Sequence, residues 1–187
     1  EEVFDAGAET NVPDDVKWAG LDESQRTAVK RLYAWIRSCV PDGATSADLS
    51  TFKSEKFRDE ISDYFDKAFL LTYYLWTDYF LAVDQRAKNM MLRTWDGLIW
   101  YITYYDGDTQ MGKRNDCFLV YDYTTDRDTY DAEAGKYAFE GRDSWLWNLV
   151  LANLDADLKT QAQALRGVLT TSRVLDMLNV EQAGNWC

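Results

Sequence analysis

Residues 65–83 read FDKAFLLTYYLWTDYFLAV. Extended back to Phe57 and Ile61, the positions Phe65, Ala68, Thr72, Leu75, Tyr79 and Ala82 recur every three or four residues, which marks one stripe of a long helix starting near Ser54. Phe69, Leu70, Tyr73, Tyr74, Trp76, Phe80 and Leu81 cover the opposite side. A helix apolar on both sides must be enclosed by neighbours, so this segment is expected to be the central element. Its most apolar part, Ala68 to Val83, spans 16 residues and contains Asp78. That falls short of the roughly 18 to 20 apolar residues a membrane-spanning helix needs.

Working outward, Asp22 stands as an N-cap before Glu23-Ser24-Gln25, and Ala28, Val29, Leu32, Trp35, Ile36 and Cys39 follow at helical spacing until Pro41 and Gly43 end the run. Residues 1–20 contain Gly7, Pro13 and Gly20 without periodicity and read as an extended arm. Beyond the central segment, Ala87, Met91, Trp95, Leu98, Ile102 and Tyr105 predict another helix over about 85–105, bent at Asp96-Gly97. Residues 106–142 lose that periodicity and read as an irregular, Asp-rich excursion, with a short strand at 117–121 and one helical turn near Ala132 to Ala138. A last long helix opens at Asp143 or Ser144 and runs to about Leu178. It is apolar all round through Trp145-Leu146-Trp147-Asn148-Leu149-Val150-Leu151 and apolar on one side later, at Leu158 and Leu165. The expectation is an all-α fold: a helical bundle of about four principal helices forming one domain over 21–187, with the N-terminal arm and the acidic excursion attached.

Composition narrows the chemistry. The 187 residues include 8 Trp, 12 Tyr and 8 Phe, too much apolar ring surface for a chain that stays unfolded. A net charge of −12 repels phosphate backbones and anionic lipid, so nucleic acid is not expected as a partner. The acidic surface fits simple solubility, a salt-rich habitat or a basic protein partner. The chain opens Glu1-Glu2-Val3-Phe4 without methionine, read as a leader removed and a secreted or organelle-lumen location. In an oxidising compartment Cys39 and Cys117 are candidates to pair, leaving Cys187 free or available to bridge a second copy.

Histidine is absent, which removes the commonest general base and the nucleophile arrangements built on it. No phosphate-cradling glycine motif occurs either. Three features remain. Asp78, among aromatic residues, and Asp96, beside Trp95, are candidate catalytic acids for a carboxylate-dependent hydrolase; the plainer account pairs Asp78 with Arg86 or Arg93. Asp126, Asp128, Asp131 and Glu133 are candidate calcium ligands, because calcium takes six to eight oxygens of this kind, although the spacing departs from the EF-hand loop and a solvated acidic loop explains it as well. Calcium is accordingly the one cofactor considered. Finally, Tyr73, Tyr74, Trp76, Trp100, Tyr104 and Trp147 are candidate ligand- or partner-binding residues, weighed against a role in the core. The leading functional expectation is a non-catalytic protein-binding or assembly subunit presenting an aromatic helical surface. The alternatives are a helical carrier of an apolar small molecule and the hydrolase.

Overall fold

The computed structural model describes residues 21–49, 51–80, 82, 85, 86, 89–105, 107, 130, 131, 136, 137, 144–173, 175 and 176. Among them are six α-helices: α1 (Glu23–Ser38), α2 (Ser46–Leu49), α3 (Glu55–Glu60), α4 (Lys67–Tyr79), α5 (Trp145–Asn153) and α6 (Asp155–Val168). A 3-10 turn (Ile61–Asp63) follows α3. Two antiparallel pairs complete the described elements: β1 (Met90–Thr94) with β2 (Trp100–Tyr104), and β3 (Tyr130–Asp131) with β4 (Lys136–Tyr137). The N-terminal arm, the strand expected at 117–121, Cys117 and Cys187 lie outside the described residues.

The first helix forms as its sequence dictates. The Asp22 carboxylate accepts the Gln25 backbone N–H at 2.8 Å while the Gln25 side chain accepts the Asp22 N–H at 2.8 Å, a reciprocal cap that satisfies two orphan donors. Ala28, Leu32 and Trp35 then fall on the buried face. Trp35 stacks on Tyr64 with centroids 4.2 Å apart, and on Phe57 at 5.4 Å; its indole N–H donates to the Glu60 carboxylate at 3.1 Å. Arg31 reaches from the same helix to the carbonyls of Leu98 (2.8 Å) and Asp63 (3.0 Å), tying α1 to the hairpin loop and to the 3-10 turn.

The all-α expectation is overturned by the segment 85–105. Met90–Thr94 and Trp100–Tyr104 form a hairpin in the register Met90↔Tyr104, Leu92↔Ile102, Thr94↔Trp100. Read with a period of two, Trp100 and Ile102 point into the core, Met90 and Leu92 pack against it, and Arg93 faces outward. Thr, Tyr, Trp and Ile are residues that favour a half-buried pleated surface. The Asp96-Gly97 pair is the turn rather than a helix bend. Gly97 sits at φ +73°, and the Asp96 carboxylate accepts the N–H groups of Leu98 (2.8 Å) and Ile99 (2.9 Å). Those two donors, Ile99 first, hold the Asp96 carboxyl below its ordinary value. The loop therefore gains stability from this carboxylate above the unfolded pKa and loses it as pH falls below about 4. Gly97→Ala would put a Cβ only 3.5 Å from the Ala28 Cβ, an ordinary contact, so the cost is backbone strain alone. We expect about 1–2 kcal/mol lost, measured by urea unfolding.

The long central helix is interrupted as well. It breaks after the 3-10 turn, where Trp100 N–H donates to the Tyr64 carbonyl at 2.7 Å and Phe65 bridges to Trp100, so the hairpin claims the backbone that would have continued the helix. Asp66 restarts the helix, its carboxylate accepting the Phe69 N–H at 2.9 Å. The last helix breaks in turn at Leu154. Asn153 donates to the carbonyls of Leu149 (2.9 Å) and Phe52 (3.0 Å) and accepts the Ser54 N–H at 2.7 Å, while the Lys53 ammonium bonds the Ala152 carbonyl. The helical turn expected near Ala132 to Ala138 is also corrected, since Lys136–Tyr137 pairs with Tyr130–Asp131 as strand.

The core gathers Leu32 and Trp35, Phe57, Ile61 and Phe65, Leu70 and Leu71, Trp100 and Ile102, Leu149 and Val150, and Leu158. Each such side chain contributes on the order of 1.5–3 kcal/mol by leaving water. Cys39, at the C-cap of α1, is a buried free thiol. Burial and the nearby Glu60 charge push it from 9.0 up to about 11. A thiol whose folded pKa is raised favours folding below pH 9 and withdraws that stability as pH rises toward 11. At pH 8 iodoacetamide should therefore label Cys39 only when the chain opens. Peptide mapping with and without urea checks this, and rapid labelling of the native protein would contradict it. No helix among the described residues is long and apolar enough to cross a membrane.

Candidate binding groove

Helix α4 and the hairpin enclose a groove of about 440 Å³ between them. Phe69, Tyr73 and Trp76 come from successive turns of α4, while Ile102 and Tyr104 come from β2 and Arg93 from β1. Spacings of three and four on the helix and of two on the strand place these groups on facing sides. Trp76 and Tyr104 meet edge to face, centroids 4.2 Å apart, and Phe69 meets Tyr101 edge to face at 5.7 Å. Tyr79, Tyr104 and Tyr105 are exposed nearby in sequence, Tyr79 at 73%, and Trp95 on the hairpin loop is 83% exposed.

Behind the groove lies a buried polar seam. Tyr73 donates its hydroxyl to the Gln85 carbonyl at 2.7 Å, Gln85 donates to the Tyr105 carbonyl at 2.6 Å, and the Trp147 indole donates to the Arg86 carbonyl at 2.8 Å. Residues 85–86 lack regular structure, so these side chains supply the partners a ladder would otherwise provide. Burial raises the Tyr73 phenol far above its ordinary value and the Tyr104 phenol to about 12, so the Tyr73 hydroxyl keeps the proton it donates to Gln85. The Arg86 guanidinium lies 4.7 Å over the Tyr74 ring, with Asp78 at 3.4 Å.

These positions sort the candidate residues. Of the six aromatic candidates, Tyr73, Trp76 and Tyr104 share the groove. Tyr74, Trp100 and Trp147 are core residues, and Trp147 stacks on Tyr73 at 6.1 Å. Asp78 takes the plainer role of partner to Arg86. Asp96 sits in the exposed hairpin turn with its carboxylate committed to backbone N–H groups. Asp126, Asp128 and Glu133 lie outside the described residues, and Asp131 is described only as backbone in β3. Among the described residues no group of three or more acids or cysteines is placed to hold a metal ion.

Phe69, Arg93 and Ile102 join the groove although none of them was a candidate binding residue. The alternation through Trp100-Tyr101-Ile102-Thr103-Tyr104 was the signal that would have found Ile102 and its neighbours. Thr103 also lines the groove, and its buried hydroxyl finds no hydrogen-bond partner among the described residues. Thr103→Val removes that unpaired group at nearly constant shape and should raise stability by about 1 kcal/mol in urea unfolding. A loss of the same size would show that the hydroxyl is bonded. Compared with known proteins, the chain has no match: no family model, no curated protein and no solved structure matches it.

Proposed function

We propose that this chain is a non-catalytic binding module that engages another protein through the groove between α4 and the β1–β2 hairpin. The observation that carries this reading is an open, ring-lined groove, with Phe69, Tyr73, Trp76 and Tyr104 around about 440 Å³ and exposed Tyr79 close by in the chain. Tyrosine and tryptophan are the side chains that most often dominate binding energy at protein interfaces, because they bury much apolar area at low entropic cost and keep a polar edge. The two acids weighed for catalysis have structural partners. Asp78 is engaged with Arg86, and Asp96 with backbone N–H groups.

The test is capture of the partner by the intact chain from its source material, repeated with Trp76→Ala and Tyr104→Ala. Each variant is expected to lose about 2 kcal/mol of affinity, roughly thirtyfold, with its melting temperature near that of the parent. A partner held equally well by all three proteins would reject the groove as the binding surface.

A further inference from the structure

The groove holds one cation among its rings. Arg93 lies on its wall, exposed, with its guanidinium 5.7 Å from the Trp95 ring. Acids outnumber bases in this chain, 32 to 20, yet Arg93 makes no ion pair among the described residues. Some exposed cations find acids close by, as Lys56 meets Glu60 and Lys159 meets Asp155, while Arg166 and Arg173, also without an ion pair among the described residues, line no groove. An arginine that none of the described carboxylates pairs, on an apolar wall, presents a fork of donors shaped for an incoming one.

We infer that the protein segment accepted by the groove carries an aromatic side chain next to a carboxylate, the ring packing among Phe69, Trp76 and Tyr104 and the carboxylate pairing with Arg93. This rests on the reading of the groove as a protein-binding surface and adds the chemistry of the segment. A lysine or arginine in the same place would meet the Arg93 charge directly. The overall charge of −12 works against any acidic peptide. That field is screened beyond roughly 8 Å at physiological ionic strength, so a preference for an acidic segment can arise only from a local cation.

Two blocked tetrapeptides, Gly-Phe-Asp-Gly and its Gly-Phe-Asn-Gly counterpart, separate the two levels of the argument when titrated into the full chain and followed by NMR. The acidic peptide should bind about fivefold tighter than the amide, the upper end for one partly exposed ion pair. Arg93→Gln should erase that preference, so that the two peptides bind the variant alike; Tyr104→Ala should weaken both peptides. Equal affinity of the two peptides for the parent protein, or a preference that survives Arg93→Gln, overturns the inference and leaves the groove reading standing. Binding of neither peptide, or full binding of both to Tyr104→Ala, removes the inference and the groove reading together.

Discussion

Trp147→Ala should lower the free energy of unfolding by about 3–5 kcal/mol, the range for deleting a large buried ring. Trp147 is 2% exposed and lies nearly parallel to Tyr73 and tilted against Tyr74, at centroid distances of 6.1 and 5.7 Å. Alanine would leave both tyrosines beside a void that helix α5, buried on every side at this turn, is poorly placed to fill. It would also strip the Arg86 carbonyl of its 2.8 Å donor. Trp147→Phe separates these two contributions. Phenylalanine keeps most of the ring and loses only the indole N–H, so it should cost about 1–3 kcal/mol, the penalty of one buried acceptor left unpaired. Urea unfolding followed by circular dichroism measures both variants. A Trp147→Ala loss under about 1 kcal/mol would mean the ring is not the keystone between α4 and α5.

The second large effect concerns Asp78 and Arg86, and it is asymmetric. The Arg86 side chain is 1% exposed, whereas that of Asp78 is 43% exposed. Removing the acid leaves a guanidinium buried over Tyr74 without the carboxylate that faces it, which costs about 3–5 kcal/mol for a fully buried pair. Water reaches Asp78, so the lower end of that range is expected for Asp78→Ala. Removing the cation instead leaves a carboxylate that solvent can hydrate. Arg86→Met, which keeps an unbranched apolar stem on the tyrosine ring, should therefore cost less than Asp78→Ala. The double variant Asp78→Ala/Arg86→Met should be more stable than Asp78→Ala alone, because it no longer buries a charge. If Asp78→Ala were neutral while Arg86→Met was costly, the buried cation would owe its stability to something other than this acid.

Helices α1 and α5 were the most legible part of the fold. Asp22 with Gln25, and Ser144 ahead of Trp145, satisfy backbone donors within three residues of themselves, so their structural meaning is local. The inward face of α1 at Ala28, Leu32 and Trp35 followed from spacing, and the deep burial of Leu146 to Val150 from an apolar run around the whole helix, although Leu151 at the end of that run is exposed. Leu98, expected in a helical core, is half exposed on the hairpin loop instead.

The groove was only half legible. Trp76, Tyr73 and Tyr104 stood out as rings, but Arg93 and Ile102 belong to it only because the chain folds into a hairpin beside α4. In residues 85–105 the apolar positions satisfy a helical period and a strand period at once. The helical count is continuous across Asp96-Gly97, and the strand count is interrupted there, so periodicity favoured the structure that did not form.

The amino-acid sequence by itself determined that helices start after Asp22, Ser54 and Ser144, that α1 is apolar along Ala28, Leu32 and Trp35, that histidine chemistry is absent and that the chain carries strong negative charge. Only the tertiary structure decided that Met90–Thr94 and Trp100–Tyr104 form a hairpin, that the central helix breaks ahead of Asp66, and that Arg93 lines one groove with Trp76 and Tyr104. The physical reason is range. Caps and stripes act over three or four residues, whereas the Trp100 amide that ends the first half of the central helix donates to Tyr64 from 36 positions away, at 2.7 Å. A bond of that kind exists only after the core has brought its two ends together.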